Sequence, residues 1–339
     1  MTYRGKLRLI CLPVIALLVG VLPLSTVAAA TKAGTVTGPG QALEIAPPLI
    51  DVRGNPGQTI NAQIYIRDIS SGPLVVTNQI NDFTAKGETG VPQILFNNSA
   101  KDPYSLIGYI SPLPSLLLKS EQLEKLTIQI NIPKNASPGG HFGVIRFTGT
   151  PPALNGGSGV SLSASLGALV LLTVNGNIVE NLQTSSFSVT PNGGRPSSFF
   201  QSDPFYFNEV LKNAGNEQVI PTGIITLKDM FGHTVLQMNI NEPQGNILPG
   251  TLRKFTEVVN HNDVGSKLFF GAYTASFDVK YGTPIKNLVG TLKFWVIPVN
   301  LILIWAVVLI GGFFLLRFAI KRYNQHIISK AQKPKNRKK

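Results

Sequence analysis

The chain has 339 residues, with 30 Lys and Arg against 17 Asp and Glu, a formal net charge of +13, and a single cysteine, Cys11. One cysteine excludes an internal disulfide framework and a multi-thiolate zinc site. The positive balance sits at the two ends: three basic residues precede residue 31 and nine follow residue 316, leaving 18 against 17 acidic residues between them. The basicity therefore does not mark a nucleic-acid surface, and no nucleic-acid partner is expected.

Residues 1–30 carry a positive start (Arg4, Lys6, Arg8), an apolar run from Leu9 to Leu24, and Ala28-Ala29-Ala30. That is the layout of a secretory signal peptide. Cleavage after Ala30 removes Cys11 and leaves an exported chain with no cysteine, which favours a bacterial cell surface. Residues 31–40, "TKAGTVTGPG", read as a flexible leader. Short runs rich in Val, Ile, Thr and Phe follow, broken by Gly, Pro and Asn. Strands are expected at 43–45, 59–68, 74–83, 125–132, 142–148 and 160–174, then at 187–190, 205–211, 223–228, 235–240, 255–259, 272–280 and 289–294. The one helix-like start, "SEQLEKL" at 120–126, passes straight into a strand. Many short strands at this spacing predict an all-β fold of two tandem immunoglobulin-like β-sandwiches, 41–181 and 182–294.

From Trp295 to Leu316 the chain has 22 residues without a charge. As a helix they would span roughly 33 Å, enough for one transmembrane pass. The tail, 317–339, holds nine basic residues and no acid. By the positive-inside rule it is cytoplasmic, with the exported part outside the cell membrane. Anionic lipid headgroups are its expected partners.

The two sets of strands resemble each other. "LEKLT" from Leu123 is matched 129 positions later by "LRKFT" from Leu252, and "GHFGV" from Gly140 is matched 131 positions later by "GAYTA" from Gly271. The second match aligns Phe142 with Tyr273 as core anchors and places His141 in the opposite phase, facing out, at the start of a strand.

Chemistry is harder to find. His141, His233, His261 and His326 show no metal-ligand spacing, and Asp51, Asp68 and Asp82 fall on separate strands or their ends. "DVRGNPG" from Asp51 has Arg53 where a calcium loop needs an oxygen, so it reads as a strand and hairpin turn. Ser158 lacks the flanks of a nucleophile elbow, the Gly-rich segment 151–159 reads as a mobile loop, and no phosphate or dinucleotide fingerprint is present. "LPGTL" from Leu248 reads as a turn rather than a sorting signal. The triplets at Asn97 and Asn135 fit the glycosylation pattern but are silent in a bacterium. No catalytic residue, cofactor or metal is expected.

What remains is a surface. Residues 82–114 form the longest irregular stretch, with Phe96, Tyr104 and Tyr109 among Gly, Asn and Pro. Aromatic rings beside hydrogen-bonding side chains suit carbohydrate or partner recognition; the other reading is a short edge strand with packing. On the first reading the three aromatics are candidate ligand-binding residues.

"PPLIDVRGNPGQT" from Pro47, "TAKGETG" from Thr84, "PKNASPGGHFGVIRF" from Pro133 and "ILPGTLRKF" from Ile247, with the order of segments, resemble the WxL-interacting proteins of Gram-positive bacterial surfaces. The resemblance covers essentially the whole chain and implies a first domain that binds peptidoglycan. It also implies a second domain that binds a partner or host protein, the whole holding secreted WxL-bearing proteins at the surface. The chain departs from the family in having no tryptophan at 104–111, and "LKDMFGHTV" from Leu227 gives the second domain the look of a broader group of bacterial surface sandwiches. The expected function is a non-catalytic, membrane-anchored binding or adhesion module for cell wall or a secreted surface protein. The alternative is a structural stalk or assembly component of a surface complex.

Overall fold

Runs that alternate apolar and polar residues become strands that bury one face, as a period of two requires. A computed structural model describes residues 42–96, 102–152, 163–192, 194–265 and 270–331. The expected signal peptide and leader, the triplet at Asn97, nearly all of the Gly-rich segment and residues 332–339 of the tail lie outside the described residues.

Among the described residues the strands before residue 175 are β1 (Leu43–Ala46), β2 (Leu49–Gly54), β3 (Thr59–Asp68), β4 (Leu74–Lys86), β5 (Val91–Leu95), β6 (Leu116–Leu118), β7 (Leu123–Asn131), β8 (Gly139–Thr150) and β9 (Ala164–Val174). They form one sheet in the order β1-β3-β7 and a second in the order β2-β9-β8-β4-β5, with β6 also paired to β4. Then come β10 (Leu182–Pro191), β11 (Phe199–Phe200), β12 (Phe205–Asn213), β13 (Thr222–Lys228), β14 (Thr234–Ile240), β15 (Leu252–Val259), the one-turn helix α1 (His261–Val264), β16 (Gly271–Tyr281) and β17 (Lys286–Val296). These build a sheet β10-β12-β15 and a sheet β11-β17-β16-β13-β14. Helix α2 (Val299–Ala331) ends the described chain.

Each pair of sheets closes on its own core. In β7, Leu126, Ile128 and Ile130 are buried while Lys125, Thr127 and Gln129 are exposed. They meet Ile64, Ile66, Ile145, Phe147, Val170 and Leu172 in a mostly aliphatic core, where burial of each side chain contributes about 2 kcal/mol. The second core is aromatic: Phe205, Phe207, Phe277 and Phe294 are buried together, with the Phe205 and Phe294 rings 5.3 Å apart. The matched runs keep their phase, since Leu126 and Phe255 both bury.

The second sequence match is shifted by one residue. Gly139 (φ +120°) and Gly271 (φ +127°) open their strands in the same left-handed conformation, so β8 and β16 correspond 132 positions apart. Tyr273 then matches His141, which is 3% exposed and faces the core side with Ile145 and Phe147. Phe142 points the other way, into a separate cluster with Phe83, Val144, Leu171 and Leu248. The alternation misled because both faces of β8 are covered, and a strand buried on both sides carries no phase signal.

Three further expectations change. Segment 82–114 is not irregular at its start, because β4 continues through Lys86 and turns into β5. "DVRGNPG" is a strand and turn but no hairpin: β2 pairs parallel with β9, whereas β3 pairs with β1 and β7 in the other sheet. The apolar run counted from Trp295 begins inside β17, and the helix starts at Val299. Its stretch Val299–Gln325 is long and apolar enough to cross a membrane.

Candidate functional site

The Pro-Gly-Gly turn before β8 does two jobs at once. Gly140 donates its N–H to the carbonyl of Asn216 at 2.7 Å, and a Cβ on Gly139 would lie 2.3 Å from that same oxygen. Only glycine allows this approach with a left-handed φ. The turn thus ties the first pair of sheets to the second. Lys254 N–H donates to Glu88 O at 2.7 Å, Arg53 pairs with the buried Glu217, and Leu248 covers Phe83 and Phe142. An apolar recess of about 140 Å³ and a polar one of about 410 Å³ lie along this junction.

The other side of the turn forms an open pocket of about 440 Å³. One wall is the segment Asn135–Ser137 with His141; the other is Asp102–Tyr109, whose anchoring starts at Asp82. Asp82 stands on the core face of β4 and accepts from Ser105 Oγ at 2.6 Å and from the N–H groups of Leu106 and Ile107 at 3.0 and 3.3 Å. Leu106 and Ile110 then plug the open end of the first core, while Tyr109 O accepts from Asn131 N–H at 2.6 Å. His141 bridges the walls: its Nδ1 faces Ser105 O at 3.0 Å and its Nε2 faces Ser137 O at 2.9 Å. The Tyr109 ring lies 5.1 Å from the imidazole, and burial pushes its phenol above the ordinary value. Asp102 and Asn135 are exposed at the rim. The lining offers a carboxylate, an amide and a phenol to a polar ligand.

The three aromatics named from sequence do not form one patch. Tyr109 lines the pocket. Tyr104 tilts against Phe142 at 6.3 Å, and its carbonyl accepts from Phe142 N–H at 2.8 Å. Phe96 is 67% exposed under the Arg146 guanidinium, 5.1 Å from its ring centre. Sequence spacing gives Asp82 and His141 no binding role, yet both line the pocket. The signal for Asp82 was there: Leu74, Val76, Asn78, Ile80 and Asp82 share one face, and a carboxylate at the inward end of such a series needs a partner. Among the described residues no three His, Cys, Asp or Glu side chains gather as metal ligands would.

No protein-family model and no curated protein matches the sequence. Among solved structures, the class 5 fimbriae chaperone CfaA is 14% identical over 76% of this chain and 100% of that one, with a TM-score of 0.38. The CsuC–CsuE chaperone-tip adhesion subunit pre-assembly complex, from archaic chaperone-usher Csu pili of Acinetobacter baumannii, is 13% identical over 74% of this chain and 97% of that one, at 0.36. A protein of unknown function from Porphyromonas gingivalis is 13% identical over 75% and 99%, at 0.29. At TM-scores this low the likeness assigns neither partner nor activity.

Proposed function

We propose that the chain is a non-catalytic, membrane-anchored binding module of a bacterial cell surface: two tandem immunoglobulin-like sandwiches outside, α2 as a single span, and the basic tail in the cytoplasm. The pocket beside His141 takes a polar ligand, cell-wall peptidoglycan or a segment of a secreted surface protein. The observation that carries this is convergence: the 82–114 stretch and the "NASPGGH" run, separated in sequence by β6 and β7, build the two walls of one polar pocket. Membership of the WxL-interacting proteins is part of the proposal. Its support is that "TAKGETG" and "ILPGTLRKF" meet through Lys254 and Glu88, while "PGGH" meets Asn216, so the runs that carry the resemblance lie where the two halves join.

The test uses the full chain in phosphatidylcholine nanodiscs, sedimented with purified peptidoglycan or mixed with the surface proteome. Binding should depend weakly on salt, because the exported part is nearly neutral. Asp102→Asn with Asn135→Ala, both at the rim, should weaken binding about tenfold and leave the melting transition in place. Unchanged binding would remove the pocket from the proposal. The bonds across the junction and the short connection to α2 favour one second reading, a stiff stalk, and a parent chain that binds neither wall nor protein would select it.

A further inference from the structure

Strand β17 ends at Val296, buried in the aromatic core, and α2 begins at Val299. Only Ile297 and Pro298 lie between. Ile297 N–H donates to Phe200 O at 2.7 Å and Val299 N–H to Ile297 O at 2.8 Å, so the connection is held against β11. The three steps from Val296 to Val299 reach about 11 Å at most. Whatever α2 enters therefore lies against this end of the sandwich.

Strand register fixes what that end presents. Lys228 stands opposite Thr274, Gly271 opposite Val296, and Phe200 beside Val296, which brings the turn between β13 and β14, Phe270, β11 and the end of β17 to one edge. Its protruding side chains are apolar. Phe231 is 77% exposed and Phe199 64%, while Met230, Phe270 and Trp295 are each about half exposed. Phe199 is the direct neighbour of Trp295. Met230 packs on Gly271, where a Cβ would sit 1.8 Å from its methyl carbon, and that seats the turn beside Phe270. Five large apolar groups gathered at one edge mark an interaction surface.

Helix length says which. From Val299 to Leu316 the helix has 18 uncharged residues, about 27 Å, against roughly 30 Å of hydrocarbon. The shortfall is met at the outer end, where interfacial aromatic residues belong. We infer that this apolar edge is a lipid-docking surface: Phe199, Met230, Phe231, Phe270 and Trp295 dip into the outer face of the bilayer that α2 crosses. The sandwich then sits on the membrane instead of standing off it. The inference rests on the reading of α2 as a span. Acids at the same edge are engaged internally. Asp229 accepts from Phe231 N–H and His233 N–H at 2.9 and 2.8 Å, Asp203 pairs with His261 at 3.1 Å, and Asp263 accepts from Asn260 N–H at 2.9 Å. Docking is thus apolar, and neutral lipid suffices.

The full chain, reconstituted in phosphatidylcholine vesicles, has two tryptophans to work with, Trp295 and Trp305. Trp295→Phe leaves Trp305 as the reporter of the span. Trp295→Phe, Trp305→Phe with Phe231→Trp reports the edge, and the same background with Val289→Trp reports the exposed middle of β17, about 23 Å up the strand. Lipids brominated deep in the chain should quench Trp305. Lipids brominated near the headgroup should quench and blue-shift the reporter at 231 but not the one at 289. Quenching of Trp305 with a water-like, unquenched reporter at 231 overturns the docking and keeps the span. Equal quenching at 231 and 289 overturns it too, because the sandwich would then lie flat. If Trp305 is not quenched, the span itself fails and the docking with it.

Discussion

Ile64 and Glu209 occupy the same place in the two halves of the molecule. The matched residues Leu126 and Phe255 pair across their sheets with Ile64 and Glu209 respectively. In the first half that place holds a fully buried isoleucine among other isoleucines. In the second it holds a carboxyl group, 1% exposed, that pairs across the sheet with Phe187 and Phe255. Neither of its oxygens has a hydrogen-bond partner among the described residues. Burial pushes its pKa up to about 8. The difference teaches that strand pairing sets the frame, and that the frame tolerates a neutral carboxylic acid where its twin uses a hydrocarbon. It does so only while the proton stays on.

Transplanting the acid is the harshest test of that equivalence. Ile64→Glu should cost about 3–5 kcal/mol at pH 8 in urea denaturation, and less at pH 5, where the group can remain protonated. A cost under about 1 kcal/mol at pH 8 would mean that the two places are not alike. The next effect comes from the acid already present. An unfolded Glu209 releases its proton near the ordinary value of 4.5, and the folded one near 8. Between those values the folded chain holds a proton that the unfolded chain has lost, so stability falls as pH rises through the window and levels off above it. The slope is about 1.4 kcal/mol per pH unit at most. Glu209→Gln should flatten it and leave the variant the more stable protein at pH 8, by about 2–4 kcal/mol. An unchanged slope would place the titration elsewhere.

The smallest of the three effects separates His141 from its counterpart Tyr273. His141→Ala leaves the carbonyls of Ser105 and Ser137 facing a gap and should cost about 1–3 kcal/mol, with the 102–109 segment losing hydrogen-exchange protection first. Tyr273 sits in the aromatic core, so Tyr273→Ala should loosen the whole second half. Protection lost evenly over both halves in the His141 variant would show that the histidine does not hold the pocket wall.

Much of the strand order was legible because one face of most strands is wet. β3, β7 and β13 alternate cleanly, and their runs could be read off the pattern. β8 and β9 could not be phased, since Leu248 and the 104–105 segment dry their outer face. The strand in "DVRGNPG" was legible but its partner was not, because β9 lies more than a hundred residues away and runs parallel, where a hairpin would pair with the next strand. The pocket was half visible: Tyr109 stood out as an aromatic among polar residues and Asp82 as a carboxylate on an apolar face, whereas His141 becomes meaningful only when the 102–109 segment folds against it. Glu209 was readable and missed, for "FYFNEVL" puts it in phase with Phe205, Phe207 and Leu211. The first turn expected of the helix belongs to β17, because strand pairing with β11 and β16 claims Trp295 and Val296 before a helix can start.

The abrupt passage from β17 to α2 also decides how the molecule carries force. The first half grips the second near Glu180, which meets Thr283 and Lys286 at the start of β17. Helix α2 leaves from the strand's other end. A pull enters the second half through Glu180 and the other junction bonds and leaves it through β17, so the eleven residue pairs of β17 with β16 are loaded together in shear, not opened one after another from a free end. Tension applied through α2 meets a strand that resists as a whole.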